Sequence, residues 1–499
     1  MSLKFNVLIS WIAHAVTMGI GFFLMPYILL TVGDGTYGTW LFLNSIAGQT
    51  GLLYLGFGDA IARFTSKYQA EENWEELNRT ASCITSVYIG SACVALLAGL
   101  TFAWIAPWIY DWPGQSIAQV QIVIVLLSLN AAISIGGSSF GGLLMGIQRF
   151  DIERSIIIVV NVVRLILTVL FLQAEYSLIT LAGIYLAITI LENLVNAIMA
   201  YRMIPSLRLR LSDLKKSVYK RCFSFSLFTF VSLIAQHIVY MTDTILIGFF
   251  LGPIAVVPYY IAFRLCEMVR LPVVQIGYVF LPKAGELHST NQIERLQKLV
   301  CQGFGISFLL GSAAFIGACF FSHTMISVWI GDGYSESYWI VLLLMGGQVV
   351  AMPTHLMRSA LTGTGYVRMP AILYFVQAIA NIVLSLSLLP YWGIYGVAVG
   401  TLLPMLVVEL GLLLPLSIKQ LNLKWSQLFQ QGIRPQLIPL SLILSYCLIV
   451  IQFEIQEQWL HVIGVALGAL VVLALGIGIT IWSDRNRVVS PHQEGVIVS

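Results

Sequence analysis

Apolar residues in this chain gather into fourteen runs, near 7–32, 39–61, 82–106, 119–147, 155–172, 178–201, 222–250, 255–281, 299–321, 338–357, 370–389, 393–416, 435–453 and 459–481. Each run is about 20 residues or longer, the length a helix needs to cross a bilayer. In lipid the backbone has no water to bond, so each crossing is expected to be a helix that satisfies its own donors and acceptors. The pattern predicts an all-α integral membrane protein with about fourteen transmembrane helices.

The polar stretches between the runs fall into two alternating kinds. Odd-numbered loops (33–38, 107–118, 173–177, 251–254, 322–337, 390–392 and 454–458) carry no Lys or Arg. Every even-numbered loop carries some: Arg63, Lys67 and Arg79 in the second, Arg149 and Arg154 in the fourth, and seven between Arg202 and Arg221 in the sixth. Lys283, Arg295 and Lys298 follow in the eighth, Arg358 and Arg368 in the tenth, and Lys419, Lys424 and Arg434 in the twelfth. Basic residues stay on the cytoplasmic side during insertion. The alternation therefore places both termini on the cytoplasmic side.

Composition agrees: 58% of 499 residues are hydrophobic and only 10% charged, against about 25% charged in soluble domains. The net charge of +3 matters less than its placement. Its concentration in 202–221 suits a membrane surface better than nucleic acid. The seven cysteines show no paired or metal-ligand spacing and read as small core residues. No cofactor or metal is expected. The first run continues through Met25-Pro26-Tyr27 with no small-residue cleavage site, so it reads as an uncleaved span.

A weak internal repeat appears at a shift of about 219 residues, with Gly33 falling on Gly252, Trp40 on Tyr259, Asn73 on Gln292, Leu77 on Leu296, Gly146 on Gly363 and Asn161 on Asn381. A six-helix unit returns the chain to its starting side, so two repeats make parallel lobes about an axis along the membrane normal. The expected organisation is an N-terminal lobe (1–201), a cytoplasmic basic linker (202–221), a C-terminal six-helix lobe (222–416), a cytoplasmic loop (417–434), two further helices (435–481) and a cytoplasmic tail (482–499). Two lobes around a normal axis suggest a central cavity, and the short outer loops argue against a membrane-bound polymerase or transferase.

Several segments resemble a known family. Gly33-Asp34-Gly35-Thr36-Tyr37-Gly38-Thr39-Trp40 is similar to the acidic-Tyr-Gly-x-Trp turn after the first helix of bacterial polysaccharide exporters, and Leu55-Gly56-Phe57-Gly58-Asp59-Ala60 to their second-helix ending. Asp243-Thr244-Ile245-Leu246-Ile247-Gly248, followed by Pro258-Tyr259-Tyr260, resembles the start of their second lobe, and Trp329-Ile330-Gly331-Asp332-Gly333-Tyr334 their ninth loop. Over roughly 5–420 the chain resembles the Wzx-type oligosaccharide flippases of the multidrug/oligosaccharidyl-lipid/polysaccharide exporter superfamily. It departs from them at Pro258-Tyr259, where Gly-x-Tyr is usual. The resemblance implies a transporter, not an enzyme. It also implies alternating-access movement of undecaprenyl-diphosphate-linked oligosaccharide for surface polysaccharide such as O-antigen, lipopolysaccharide or exopolysaccharide. The expected partners are the lipid-linked oligosaccharide, membrane lipids and other polysaccharide assembly proteins.

Three basic residues escape the loop rule: Arg164, Arg264 and Arg270, in the fifth and eighth runs. Glu192, Asp243, Glu267 and Glu409 are acidic residues inside runs. A charge at the bilayer centre costs about 2.5–3.5 kcal/mol on insertion scales, so each must meet a partner or water. Arg264, Glu267 and Arg270 share one helical stripe. They read either as a cavity-facing polar face for a diphosphate, which Arg grips bidentately, or as an ion pair joining two helices. Asn161, one turn before Arg164, extends a second polar face, giving Asn161, Arg164, Arg264 and Arg270 as substrate-binding candidates. A carboxylate held away from water can exchange a proton on exposure, which makes Glu192, Asp243 and Glu267 coupling candidates; structural pairing is the alternative reading. His14 and His237 read as packing. Gly137/Gly141, Gly142/Gly146, Gly396/Gly400 and Gly464/Gly468 are small-xxx-small pairs, read either as close helix contacts or, in the fourth run, as a bend. The basic linker reads as a topology anchor and amphipathic surface segment, or as a contact for the lipid diphosphate. Alternatives in the same superfamily are a cation-coupled multidrug exporter and a peptidoglycan lipid-precursor flippase.

Overall fold

Helices run through nearly all of the computed structural model, which describes residues 3–112, 114–173, 177–453 and 457–489, with the side chains of 3–8, 59, 224–229, 231–233, 235–236, 240, 278 and 482–489 outside the description. The side chains of Asp59, Arg485 and Arg487, and tail residues 490–499, therefore lie outside the described residues. The first half comprises α1 (Leu3–Gly48), a 3-10 turn (Gln49–Tyr54), α2 (Phe57–Ala70), α3 (Trp74–Ile109), α4 (Ile117–Gly146), α5 (Phe150–Phe171), α6 (Ser177–Met203) and α7 (Lys216–Phe250). The second half comprises α8 (Pro253–Ser289), α9 (Ile293–Ile330), α10 (Ser335–Gly363), α11 (Arg368–Val408), a π-turn (Glu409–Leu413), α12 (Leu414–Gln420), α13 (Trp425–Gln427), a second π-turn (Leu428–Ile433), α14 (Arg434–Val450) and α15 (Trp459–Val489).

Two glycines decide how many crossings these helices make. A straight helix of 46 residues, the length of α1, would extend about 69 Å, more than twice the hydrocarbon thickness. It is broken at Gly33 (φ 78°, ψ 165°), and α11 is broken at Gly393 (φ 55°, ψ −133°). Both are left-handed conformations that glycine adopts without a Cβ penalty. Among the described residues, eleven helical segments are long and apolar enough to cross a membrane. Dividing the two that contain these glycines and adding the 35-residue α7 accounts for fourteen. This is a multi-pass, all-α membrane protein.

The chain forms two compact units, Met1–Val257 and Pro258–Ser499. In the first, α4 packs between α3 and α6, around Ile84, Tyr88, Ile135 and Leu143. Helix α7, which the repeat groups with later helices, packs here against α1, α2 and α3. Gly248 permits the approach: a Cβ there would lie 2.3 Å from the ring of Phe42. In the second unit α9, α10 and the 414–428 stretch share a core of Val300, Phe304, Leu356, Met357, Leu413 and Leu428. The segment 417–434, expected as a loop, is largely helical, because Ile418, Leu421, Leu423 and Leu428 are drawn into that core.

Repeat-related positions have like surroundings. Gly33 and Gly252 both take positive φ, and Gly146 and Gly363 each close a helix. Trp40 and Tyr259, Leu77 and Leu296, and Asn161 and Asn381 are buried. The glycines of α4 act mostly by close packing. A Cβ at Gly142 would reach 2.2 Å from Ile61, and one at Gly146 would reach 2.5 Å from Thr65 and 2.8 Å from the Ala62 carbonyl, whereas Gly141 has nothing within 4 Å. The helix runs unbroken from Ile117 to Gly146, so the bend is not seen. Gly146→Ala is expected to cost about 1–3 kcal/mol through overpacking. Gly141→Ala is expected to be neutral or slightly stabilising, since alanine favours helix. Thermal unfolding of the two purified variants in detergent checks the contrast; equal melting would refute it.

Candidate functional site

The α5–α6 seam explains where the first charged group sits. Ile156 and Val160 on α5 meet Ile184 and Ile188 on α6 in a small apolar core. These positions recur every four residues, one face of a helix. The next position in the same register is Arg164 on α5 and Glu192 on α6. Because the two helices are antiparallel, the cation and the carboxylate cap opposite ends of the seam.

Arg164 is held by three groups. Its Nη2 donates to Asn161 Oδ1 at 2.6 Å. Its guanidinium lies 5.4 Å from the ring centroid of Tyr185 on α6. It also interacts electrostatically with Glu192. Asn161 is fixed in turn, its Nδ2 donating to Ile157 O (2.8 Å) and to Thr17 Oγ1 on α1 (3.4 Å). The ring of Tyr185 stands edge-on to Trp40 at 5.0 Å. Arg164 Nε is buried and has no hydrogen-bond partner among the described residues. Glu192 also interacts electrostatically with Tyr54, whose hydroxyl shares a 2.7 Å hydrogen bond with Ser134 on α4. Thus α1, α5 and α6 converge on Arg164, and the structure brings Asn161 and Arg164 together, while Glu192 lies at the other end of the seam and reaches Arg164 only electrostatically.

In the second unit Arg264 Nη1 pairs with Glu267 Oε2 at 2.6 Å, within one turn of α8. Helical geometry brings these two together, because i and i+3 positions on a helix are neighbours. Both side chains stay partly exposed, at 24% and 20%. Arg270 interacts electrostatically with His355 on α10, where Gly277 lets α8 approach: a Cβ there would lie 2.8 Å from His355 Nε2. Asp243 is buried on α7. His237 packs against Gly51.

One pair escaped the sequence reading. Arg358, expected in a cytoplasmic loop, lies inside α10, since the helix continues to Gly363. Its Nη2 pairs with Glu409 Oε1, and its guanidinium sits 4.3 Å from the Tyr374 ring centroid. Glu409 opens a π-turn and is 2% exposed, against 18% for Arg358. An in-span Glu409 with no assigned cation was the available signal.

The comparisons with known proteins are consistent with this architecture. Residues 3–288 match the family model described as polysaccharide biosynthesis protein, and residues 229–386 match one described as MatE. The Haloferax volcanii protein named Probable low-salt glycan biosynthesis flippase Agl15 is 24% identical over 195 residues, which is 38% of this chain and 41% of that protein. The match thus spans about two fifths of that relative's length. The lipid II flippase MurJ in an inward closed conformation has the same fold, with a TM-score of 0.73 and 14% identity over 96% of this chain and 99% of that chain. An inward-facing multidrug resistance MATE family transporter of the MOP superfamily follows, with a TM-score of 0.64 and 14% identity over 85% and 96%.

Proposed function

This chain belongs to the polysaccharide biosynthesis protein family, and from that premise we propose that it is a flippase moving lipid-linked oligosaccharide from one leaflet to the other. The observation that carries the reading is Arg164: a guanidinium fixed inside membrane helices by Asn161 and Tyr185, with one buried donor uncommitted within the described residues. A fixed cation at that depth is costly and suits an anionic headgroup that must pass through. In its finer form the substrate is undecaprenyl-diphosphate-linked oligosaccharide, carried across a bacterial inner membrane by alternating access for surface polysaccharide. Arg164, Arg264 and Arg270 bind the diphosphate and acidic sugars, with Asn161 orienting Arg164. Glu192, Asp243 and Glu267 are the groups through which a coupling ion acts.

The MatE match over 229–386 favours a second reading, a cation-coupled multidrug exporter. Such exporters commonly rely on a carboxylate in the first span, and here the first acidic residue is Asp34, beside the Gly33 break. One deletion experiment separates the two. Loss of the gene is expected to deplete surface polysaccharide and to accumulate lipid-linked oligosaccharide on the inner side. Unchanged polysaccharide together with new drug sensitivity would favour the exporter.

A further inference from the structure

The basic segment between α6 and α7 is built onto α3 as a rigid strip. Asn78 on α3 reads its backbone at two points: Nδ2 donates to Ser206 O at 2.9 Å, and Oδ1 accepts from Arg208 N at 2.9 Å. One turn further along α3, Ser82 Oγ accepts from Arg210 N at 3.1 Å. These are the bonds a neighbouring strand would make, supplied by side chains at i and i+4 of a helix. The segment is extended at Arg210 (φ −132°, ψ 141°). In an extended chain successive side chains point to opposite sides. Ile204 and Leu207 are buried, and Leu209 packs against the same core. Arg208 and Arg210 are thereby turned outward, and both are exposed.

Two features of the outward face point to its partner. Arg202, Arg208, Arg210, Lys215, Lys216 and Lys220 are all exposed, and Asp213 is the one acidic residue among positions 202–220. Arg221 is differently placed, donating to Glu76 Oε2 at 3.1 Å and lying over the rings of Phe64 and Tyr68. In the midst of the exposed cations stands Leu211, 85% exposed, more than any other large hydrophobic side chain described. Most other exposed large hydrophobic side chains described belong to the apolar spans, where lipid covers them; Tyr391, 82% exposed, stands in the outer loop 390–392. Leu211 sits in the connection between two spans, on the side the basic loops assign to the cytoplasm. A bare leucine flanked by cations fits an interface that is anionic at its surface and apolar just beneath. A soluble acidic partner would match the charges and leave the leucine unexplained.

We infer that residues 204–216, pinned to α3 by Asn78 and Ser82, form a preformed docking plate for anionic phospholipid headgroups, with Leu211 inserted as its apolar anchor. The pinning matters because a rigid strip loses no backbone entropy on docking, unlike a slack polybasic tether.

Hydrogen exchange of the full-length protein in nanodiscs tests this. Amides of 208–217 are expected to exchange about tenfold more slowly when about a third of the lipid is phosphatidylglycerol than in pure phosphatidylcholine. High salt should erase the difference, because exposed charges are screened. The variant carrying Arg208→Gln, Arg210→Gln, Lys215→Gln and Lys216→Gln, all at exposed positions, should show no difference between the lipids. Asn78→Ala keeps every charge and should still lose most of it. Equal exchange of the wild-type protein in both lipids overturns the proposal. So does a full difference retained by the charge-neutralised variant or by Asn78→Ala. Protection that requires added lipid-linked diphosphate would assign the strip to the substrate instead, and would overturn the phospholipid plate.

Discussion

Replacing Arg164 with alanine is expected to stop glycan export while leaving the protein at its normal level in the membrane. The guanidinium makes its contacts along one face of α5 and across to Tyr185, and none of these closes a helix or fills a core. Folding should therefore survive its removal. Binding should not: a hydrogen bond to a charged group contributes about 1.5–3 kcal/mol, one to two orders of magnitude in an equilibrium constant. Arg164→Lys is expected to recover only part of the loss, because an ammonium cannot hold Asn161 and grip a phosphate through one planar fork. Arg264→Ala should act in the same way from the second unit, with Glu267 left alone on α8. The measurement is lipid-linked intermediate and surface polysaccharide per unit of immunodetected protein. Normal export by both alanine variants would remove the assigned roles.

The second large effect is on stability and concerns the pair the sequence reading missed. Arg358→Ala leaves Glu409, 2% exposed, without its cation. Breaking a buried pair by removing one partner costs about 3–5 kcal/mol, since the remaining charge is uncompensated. Arg358→Ala and Glu409→Ala should each lower the unfolding temperature and the yield of folded protein. The double variant Arg358→Met with Glu409→Leu should recover most of both, because two apolar side chains of similar size leave no stranded charge. Single variants that unfold at the wild-type temperature would show the pair to be dispensable. The Arg264–Glu267 pair offers a contrast, joining neighbours on one helix and staying partly exposed. Its loss should matter little to stability and much to transport.

The two arginine pairs also show why a sequence identifies charges better than partners. Arg264 and Glu267 lie three residues apart, and helical geometry alone brings them together. Arg358 and Glu409 lie 51 residues apart and meet through a π-turn. The extra residue in such a turn shifts the register by about 100°, and nothing in the hydrophobic pattern marks it. Asn78 was equally silent. It reads as a polar residue near a helix start, and only the path of the chain 128 residues later gives it a backbone to bind.

What the sequence determined by itself was the set of helical crossings, the turns near 33–38 and 390–392, and most of the cations that do not belong in loops. Each follows from local physics: apolar length against bilayer thickness, polar residues between apolar runs, and the cost of a charge in hydrocarbon. Tertiary structure decided what each charge answers to. Arg164 rests on Asn161 and Tyr185, Arg358 on Glu409 and Tyr374, and the basic strip on Asn78 and Ser82. Those choices depend on which helix faces meet and in what register. Packing of elements distant in sequence sets both, and no local pattern encodes them.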